Sequence, residues 1–328
     1  MTTNVRRNAV SSIRFFPRQA RFLTGFPPFT IFNGMKIISL LTIFSFLLVP
    51  GRSAGAEAFR YDKHNEVLGS VGQYTVVNNE SLYEIARRYK TGFNEITAAN
   101  PGVDPYVPGK GRSLVLPTAW VLPDSERSNG IVINISEMRL YHFYKQKGVH
   151  LVKTYPIGIG DEGNNTPEGK FKVTEKIVHP AWHVPAAIRK EKPELPEVVP
   201  AGPNNPMGDY AMRLSNGTVL IHGTNIPWGI GKRVSHGCIR LYPEDIKELF
   251  HNTPTGTKVT IINQPVKAGL NGKRVYVEVN EDLEQKNFDY LKRLQELLKK
   301  KGLIDRVSMR KLETAVIEKT GYAVDVSR

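Results

Sequence analysis

Short apolar runs with a two-residue alternation fill the middle of this 328-residue chain and confine that part to a β-rich fold. Isoleucine occupies positions 131, 133 and 135, as in a strand with one buried face. The dipeptide Asn216-Gly217 separates two further apolar runs, which is the strongest short signal for a hairpin. Residues 129–263 are therefore predicted to form a mostly antiparallel β domain, either a sandwich or a barrel.

The start of the sequence is typical of an export signal. Met35-Lys36 precedes an apolar run over residues 37–49, and Ala-Gly-Ala at 54–56 is the small-x-small pattern of a cleavage site. The run is too short to span a bilayer comfortably. We predict a signal region over residues 1–56, a true start at Met35 and cleavage after Ala56, which leaves no stable membrane span. A long basic leader or an uncleaved anchor is the alternative.

The net charge of +14 depends on that leader. Residues 1–56 hold seven basic residues and no acidic one, so 38 basic and 31 acidic residues remain after them. A mildly cationic exported protein suits an anionic wall or membrane surface. Nucleic acid is not expected as a partner, because an exported chain seldom meets it.

A small β-α-α-β module is predicted over residues 73–117. Tyr-Thr-Val-Val at 74–77 indicates a strand, Ser81 and Glu84 stand in capping-box register, and Leu-Val-Leu-Pro at 114–117 closes the unit. These residues resemble the LysM module, and the resemblance implies binding of the N-acetylglucosamine backbone of peptidoglycan or chitin. A helical pair that only packs on its neighbour is the alternative.

Residues 264–328 are predicted to form a small α/β accessory segment. The pattern indicates one strand and then two helices, the first of them charged with leucines at helical spacing. We expect this segment to pack on the sheet and predict no chemistry in it.

Cys238 is the only cysteine and lies in the motif S-H-G-C-I-R at residues 235–240. An exported protein that keeps one thiol between histidines favours use of that thiol as a nucleophile. Attack on a carbonyl carbon needs the thiolate or a nearby base, and His222 and His236 are the two candidates. Gly223 and Gly237 permit close backbone approach, and N–H groups around Gly237 and Cys238 are expected to form an oxyanion hole.

Other interpretations of these residues remain open in the sequence. Cys238 fits a small buried hydrophobe, and His222, His236 and Cys238 fit zinc ligands, although no fourth ligand has familiar spacing and no metal is predicted. Arg240 fits an ion pair with Glu244 or Asp245. The proline-rich residues 179–210 indicate a long ordered loop over the site.

Several motifs together resemble the L,D-transpeptidase catalytic domain, also called the YkuD domain. They are I-G-I-G at 157–160, T-P-E-G-K-F at 166–171, P-N-N-P-M-G-D-Y at 203–210, H-G-T-N at 222–225 and S-H-G-C-I-R at 235–240. The resemblance implies a β-sandwich without a cofactor, with Cys238 as nucleophile, His222 as general base and acid, and His236 assisting. Arg240, Gly237, Gly223 and Ser235 are the expected substrate-binding residues, with Arg240 holding a carboxylate.

The resemblance also implies a reaction in two halves. The thiolate attacks the third residue of a peptidoglycan stem tetrapeptide, D-alanine leaves, and an amine takes the acyl group in a cross-link or in attachment of a wall protein. A wall-anchored lipoprotein is a candidate acceptor, and the periplasm is the expected location. A cysteine peptidase that transfers only to water and a non-catalytic wall-binding protein are the competing functions.

Overall fold

The computed structural model describes residues 56–127, 129–282, 284–285 and 287–328. The predicted signal region lies outside these ranges except for Ala56. This residue is buried, and its N–H group donates a hydrogen bond to Glu248 Oε2 at 2.8 Å. None of the helices within these ranges has the length and hydropathy of a membrane span.

The helices and strands follow one another in three groups. Up to residue 121 they are β1 (Ala58–Arg60), β2 (Val67–Gly69), β3 (Gly72–Thr75), α1 (Leu82–Arg88), α2 (Phe93–Ala98), β4 (Ser113–Leu116) and β5 (Ala119–Val121). The middle group is β6 (Gly130–Asn134), β7 (Arg139–Gln146), β8 (Val149–Pro156), β9 (Ile159–Gly160), β10 (Gly169–Val178), β11 (Trp182–His183), α3 (Ala186–Glu191), β12 (Val198–Val199), β13 (Tyr210–Leu214), β14 (Leu220–His222), β15 (Arg233–Ser235), β16 (Ile239–Arg240), α4 (Pro243–Asn252) and β17 (Lys258–Ile262). The last group is β18 (Val266–Asn271), β19 (Arg274–Val279), α5 (Tyr290–Lys300), α6 (Met309–Glu318) and β20 (Val324–Asp325).

The central sheet has nine strands in the order β1-β8-β7-β6-β17-β10-β13-β14-β16. Most neighbours are antiparallel, and the hairpin predicted at Asn216-Gly217 joins β13 to β14 with Ala211 opposite His222. Two pairs, β6 with β17 and β14 with β16, are parallel. The predicted mainly β fold is confirmed. The parallel pairs arise because long connections bring the chain back in the same direction, which a hairpin cannot do.

The sheet is curled, and strands from its two halves bury one core. Ile133 and Leu140 from one half and Met212 and Ile221 from the other belong to this cluster. Helix α4 adds its apolar stripe, which includes Leu249. Because the sheet curls, its two halves pack face to face as the two layers of the predicted sandwich do, although they belong to one sheet.

The module at residues 72–116 has the predicted β-α-α-β order. β3 pairs antiparallel with β4, and the core between them and the two helices includes Leu82, Ile85 and Ile96. The capping box is present: the Ser81 side chain accepts from the Glu84 N–H, and the Glu84 carboxylate accepts from the Ser81 N–H at 2.8 Å. Two short helices are thus held by local capping and by one shared core.

The C-terminal segment has its own core. Strands β18, β19 and β20 form a sheet, with α5 and α6 packed against it. Val275 and Val277 from β19 are fully buried with Leu294 and Leu298 of α5. The expected small α/β segment is confirmed, and it has more strands than the one that the sequence predicts.

A buried ion pair joins the module to the β domain. Arg139 of β7 is 0% exposed, and its Nε and Nη2 donate to the two carboxylate oxygens of Glu95 in α2 at 2.9 and 2.6 Å. Trp120 Nε1 donates to the same carboxylate at 2.7 Å, and the guanidinium lies 4.0 Å from the Trp120 ring centroid. Every charged atom group in this contact therefore has a partner, as buried charges require.

A second buried cluster joins the β domain to the C-terminal segment. Lys267 of β18 is 0% exposed and contacts Glu137 Oε2 at 2.6 Å and Glu278 Oε1 at 2.9 Å. Its ammonium also donates to the Tyr141 hydroxyl at 3.1 Å. Burial raises the pKa of Glu278 to about 8, while Lys267 opposes that shift.

The proline-rich residues 179–210 form an ordered segment with elements of their own. β11 pairs antiparallel with β12, and α3 lies between them in the chain. The Asn205 side chain donates to the carbonyl groups of Pro180, Val199 and Pro200 at 2.9–3.2 Å. The buried Asn205 amide therefore links several backbone carbonyl groups of this segment. Such a side-chain donor is needed because proline has no backbone N–H group.

Candidate active site

The parallel register of β14 and β16 brings the predicted catalytic residues together. Ile221 lies opposite Ile239, and His222 lies opposite Arg240. Both isoleucines are fully buried in the sandwich core, so the residues next to them in each strand face the other side of the sheet. Cys238 directly precedes β16, and continuation of this register by one residue would place it diagonally across from His222.

The Cys238 thiol is half-buried and is held as a neutral group. Its Sγ lies 3.9 Å from the carbonyl oxygen of Thr218. Burial raises the pKa of the thiol, and the positive charges of Arg240 and Arg213 lower it by less. Because the thiol is predominantly protonated at neutral pH, a nearby base must take its proton before it can attack a carbonyl.

His222 has the properties of that base. It is 3% exposed, and its Nδ1 lies 2.7 Å from the Gly223 carbonyl oxygen. A carbonyl oxygen only accepts, so in the neutral ring Nδ1 carries the proton and Nε2 carries the lone pair. Burial and, to a smaller extent, the Arg240 charge lower the pKa of His222 to about 4, while the backbone carbonyl groups of Gly223 and Met207 oppose the shift. The imidazole is therefore neutral at neutral pH and able to accept a proton.

Arg240 lies in the same place with an unused donor. Burial lowers its pKa, and the Asp161 carboxylate opposes this shift without an ion pair to Arg240 in the described ranges. Within the described ranges its buried Nε has no hydrogen-bond partner. An unpartnered buried donor on the face that carries the thiol is suited to an acceptor group of a ligand, such as a carboxylate.

The alternative in which Arg240 pairs with Glu244 or Asp245 is wrong. Glu244 accepts from Arg87 Nη2 at 2.8 Å, and Asp245 contacts Lys90 Nζ at 2.7 Å. Both cations belong to the α1 end of the module. The module thus neutralises the two acidic residues at the start of α4, and the guanidinium near the thiol stays without an acidic partner in the described chain.

The loop around Cys238 is fixed by its backbone. Gly237 has φ of +95°, which a residue with a side chain rarely adopts. The Ser235 hydroxyl donates to the Cys238 carbonyl oxygen at 2.6 Å, and the Ser235 carbonyl accepts from the Asp161 N–H at 2.7 Å. At Gly223 a Cβ atom would lie 3.1 Å from the Ile246 side chain. Ser235 and the two glycines therefore shape the loop; their contact with substrate stays a prediction.

His236 lies beside the proline-rich segment. Its Nε2 is 3.5 Å from Glu191 Oε2 at the end of α3, and 29% of the side chain is exposed. Two residues apart in an extended chain, His236 and Cys238 would project to the same side, but the left-handed Gly237 between them breaks that alternation. The assisting role predicted for His236 would therefore act through this segment.

The structure adds residues that the sequence did not indicate. Thr218 offers its backbone carbonyl to the thiol, and a backbone atom carries no side-chain signal. Glu191 contacts His236 from the end of α3, and only its place among the prolines could have drawn attention to it. Across the described ranges, no three His, Cys, Asp or Glu side chains come together as a metal ion would require.

The chain is similar to known proteins along most of its length. The family model described as the L,D-transpeptidase catalytic domain (YkuD) matches residues 128–261, and the LysM domain model matches residues 74–117. A probable L,D-transpeptidase of Escherichia coli K12, YcfS, is 45% identical over 260 residues, which are 75% of this chain and 80% of YcfS. ErfK/SrfK of Salmonella typhimurium is 44% identical over 65% of this chain and 70% of its own length, and YbiS of E. coli K12 is 43% identical over 72% and 79%.

Proposed function

Because the chain belongs to the L,D-transpeptidase family, we propose that it is a peptidoglycan L,D-transpeptidase with Cys238 as its nucleophile. The observation that supports the proposal is the β14–β16 register, in which His222 lies opposite Arg240, two residues after Cys238. A neutral thiol, a neutral imidazole and an unpaired guanidinium are the groups that an acyl transfer from a carboxylate-bearing peptide needs.

The first half-reaction forms a thioester. His222 Nε2 takes the thiol proton as Cys238 Sγ attacks the carbonyl carbon of the third stem residue, and a C–S bond forms. The oxyanion is stabilised by N–H groups at Gly237 and Cys238. The C–N bond to the terminal D-alanine then breaks, and the imidazolium returns its proton to the leaving amine.

The second half-reaction transfers the acyl group. An acceptor amine loses a proton to His222 and attacks the thioester, the C–S bond breaks, and the thiol is regenerated. Attack by water would give hydrolysis of the stem instead. The acceptor is a second stem, a D-amino acid or a wall-anchored lipoprotein.

The other residues position the donor. Arg240 binds a substrate carboxylate through its guanidinium, which matches a carboxylate in geometry as well as charge. His236, in contact with Glu191, orients the bound stem from the side of the proline-rich segment. Ser235, Gly237 and Gly223 keep the loop in the shape that admits the peptide.

Each segment of the chain has its own role in this function. We assign peptidoglycan-strand binding to the LysM module at residues 73–117, catalysis to residues 129–263 and an accessory role to residues 264–328. The export signal lies within residues 1–56, with translation from Met35 and cleavage after Ala56, which would also remove the Ala56 contact with Glu248. The mature protein acts in the periplasm on the cell wall, and the reaction needs no metal or organic cofactor.

One assay tests this function. The purified protein is incubated with a stem tetrapeptide and a D-amino acid, and the products are followed by mass spectrometry. We expect release of D-alanine and capture of the added amine, no product with Cys238→Ala, and a loss of about 10²–10⁴-fold with His222→Asn. His64→Asn, at an exposed histidine outside the site, is the matched control.

Three results would contradict the proposal. Unchanged product formation in Cys238→Ala would remove the nucleophile. Release of D-alanine without amine capture, at any acceptor concentration, would make the protein a peptidase. Equal activity of His222→Asn and His64→Asn would show that another group takes the proton.

A further inference from the structure

An exposed aromatic surface crosses the boundary between the module and the β domain. Trp228 is 52% exposed and Tyr106 is 69% exposed, and both rings contact Tyr83, with centroids 5.8 and 5.9 Å away. Tyr83 in turn stacks on Phe93 at 4.1 Å. We call Tyr83, Phe93, Tyr106 and Trp228 the aromatic platform; the first three belong to the module and Trp228 belongs to the β domain.

The ammonium group of Lys232 contacts two rings of the platform. Lys232 Nζ lies 4.6 Å from the ring centroids of both Tyr83 and Phe93, and it donates to the Tyr83 hydroxyl. The cation is therefore engaged with the rings rather than presented outward. The exposed part of the platform consists of ring faces and edges, which suits a ligand with apolar faces and no need for a strong counter-charge.

The position of Trp228 is set by backbone contacts on both sides. The Phe93 N–H donates to the Ile230 carbonyl at 3.3 Å, and a Cβ on Gly231 would lie only 2.2 Å from the Phe93 nitrogen. On the other side, the Gly231 N–H donates to the Ile157 carbonyl at 2.9 Å. Residues 226–232 are thus held between the module and the segment at Ile157 that leads into β9.

The same segment leads directly to the nucleophile. It is followed by β15, and then by the motif that contains Cys238. Trp228 also lines a cavity of about 1330 Å³ that extends from α1 and the start of α4 to Phe59 and Trp120, with the polar side chains of Glu84, Arg87 and Glu244 in its wall. Ring faces beside hydrogen-bonding groups are the combination that recognises a sugar, whose rings have apolar faces and polar edges.

From these contacts we infer that Trp228 extends the glycan-binding surface of the LysM module onto the catalytic domain. The ligand is a β-linked strand of N-acetylated hexosamines, which lies across the boundary and presents its stem peptides to the cleft. The inference rests on the proposed function, since peptidoglycan is the polymer that both parts engage. Trp228 binds the strand and takes no part in the acyl transfer.

Calorimetric titration of the purified protein with chitohexaose tests this inference. We expect Trp228→Ala to weaken binding about tenfold, Trp228→Tyr to stay within about threefold of the parent, and Ile317→Ala, an exposed apolar residue on α6, to change nothing. Release of D-alanine from a soluble stem tetrapeptide, which has no glycan, should stay within about twofold of the parent in all three variants.

The outcomes separate this inference from the proposed function. Equal affinity of Trp228→Ala and Ile317→Ala for chitohexaose would overturn the inference, and so would a parent protein that does not bind chitohexaose. Loss of both binding and soluble-stem activity in Trp228→Ala and Trp228→Tyr would also overturn it, because Trp228 would then only hold the loop. A parent protein that binds the sugar but leaves the soluble stem intact would refute the transpeptidase and not the platform. A concentration-dependent dimer that Trp228→Ala abolishes would assign the surface to a second copy of the chain.

Discussion

Charged side chains are buried in two regions: the contact between the module and the β domain, and the cleft at Cys238. The two regions differ in whether these side chains have hydrogen-bond partners. At the contact, Arg139 and Glu95 are almost fully buried and form two hydrogen bonds with each other, and Trp120 adds a third to Glu95. In the cleft, Arg240 has a buried Nε without a partner in the described chain. A satisfied buried pair specifies how two parts fit together, whereas an unsatisfied donor is available to a ligand.

The two regions are also connected. Arg87 and Lys90 of the module take the carboxylates of Glu244 and Asp245, the acidic residues closest in sequence to Arg240. The docked module therefore helps to keep the cleft guanidinium without an internal partner. The comparison predicts that changes at the contact reduce stability, while changes in the cleft reduce activity and leave stability alone.

The largest expected effect is at the contact. Arg139→Met leaves the Glu95 carboxylate buried without its cation, and we expect the free energy of unfolding to fall by about 3–5 kcal/mol. Chemical denaturation measures it, with the exposed Arg293→Met as control. Adding Glu95→Gln should restore a large part of the loss. A loss below about 1 kcal/mol would show that the pair does not hold the contact together.

The next effect concerns pH and the buried Asp245. Burial raises the pKa of Asp245 from 3.8 to about 6, although Lys90 lowers it. Between pH 3.8 and 6 the folded protein therefore binds more protons at this group than the unfolded chain, and stability falls as pH rises. Relative to Asp245→Asn, the parent should lose roughly 3 kcal/mol across this window. Denaturation at a series of pH values measures it, with the exposed Asp305→Asn as control; parallel curves for parent and Asp245→Asn would contradict it.

In the cleft, Arg240→Lys keeps the charge and removes the fork that fits a carboxylate. We expect kcat/KM for the stem tetrapeptide to fall about 100-fold, equivalent to about 2.7 kcal/mol. Stability should not decrease, because no internal hydrogen bond of the Arg240 Nε is lost. Arg293→Lys is the matched control. A loss of stability without a loss of activity would place Arg240 in the framework rather than in the site.

A smaller effect concerns the protonation states of Cys238 and His222. Because burial raises the pKa of the thiol and lowers the pKa of His222, the two groups should be a neutral pair at neutral pH. Alkylation of Cys238 by iodoacetamide should then accelerate about tenfold per pH unit through the neutral range, as the thiolate fraction grows. A rate independent of pH between about 6 and 8 would instead indicate a thiolate–imidazolium pair.

The smallest effect lies within the module. Ser81→Ala removes the side-chain cap of α1 and should lower the free energy of unfolding by about 1 kcal/mol, without a change in activity on a soluble stem. Ser81→Asp, which keeps a capping acceptor, should retain most of this free energy of unfolding. If Ser81→Ala also slowed the soluble-stem reaction, the module would influence the cleft more than its contacts with α4 suggest.

Much of the fold could be predicted because its signals are local. The alternation at 131–135, the Asn216-Gly217 turn and the Ser81–Glu84 capping box each act within a few residues. The structure contains the strand, the hairpin and the capping box, although β6 is buried on both faces rather than on one. The candidate residues Cys238, His222, His236 and Arg240 came from a short motif and a resemblance. That Arg240 does not pair with Glu244 or Asp245 could not be predicted, because these two residues are bound by Arg87 and Lys90, more than 150 positions away.

The sequence by itself determined the kinds of elements, the module and the residues able to do chemistry, since periodicity, capping and side-chain type are properties of neighbouring positions. Tertiary structure alone decided that β14 and β16 run parallel and that Ile221 meets Ile239. It also decided which charges are paired and which stay free. Strand register depends on which distant segments bury their side chains in one core. Charge pairing depends on the fold as well, because an unpaired charge is costly in the low polarity of that core.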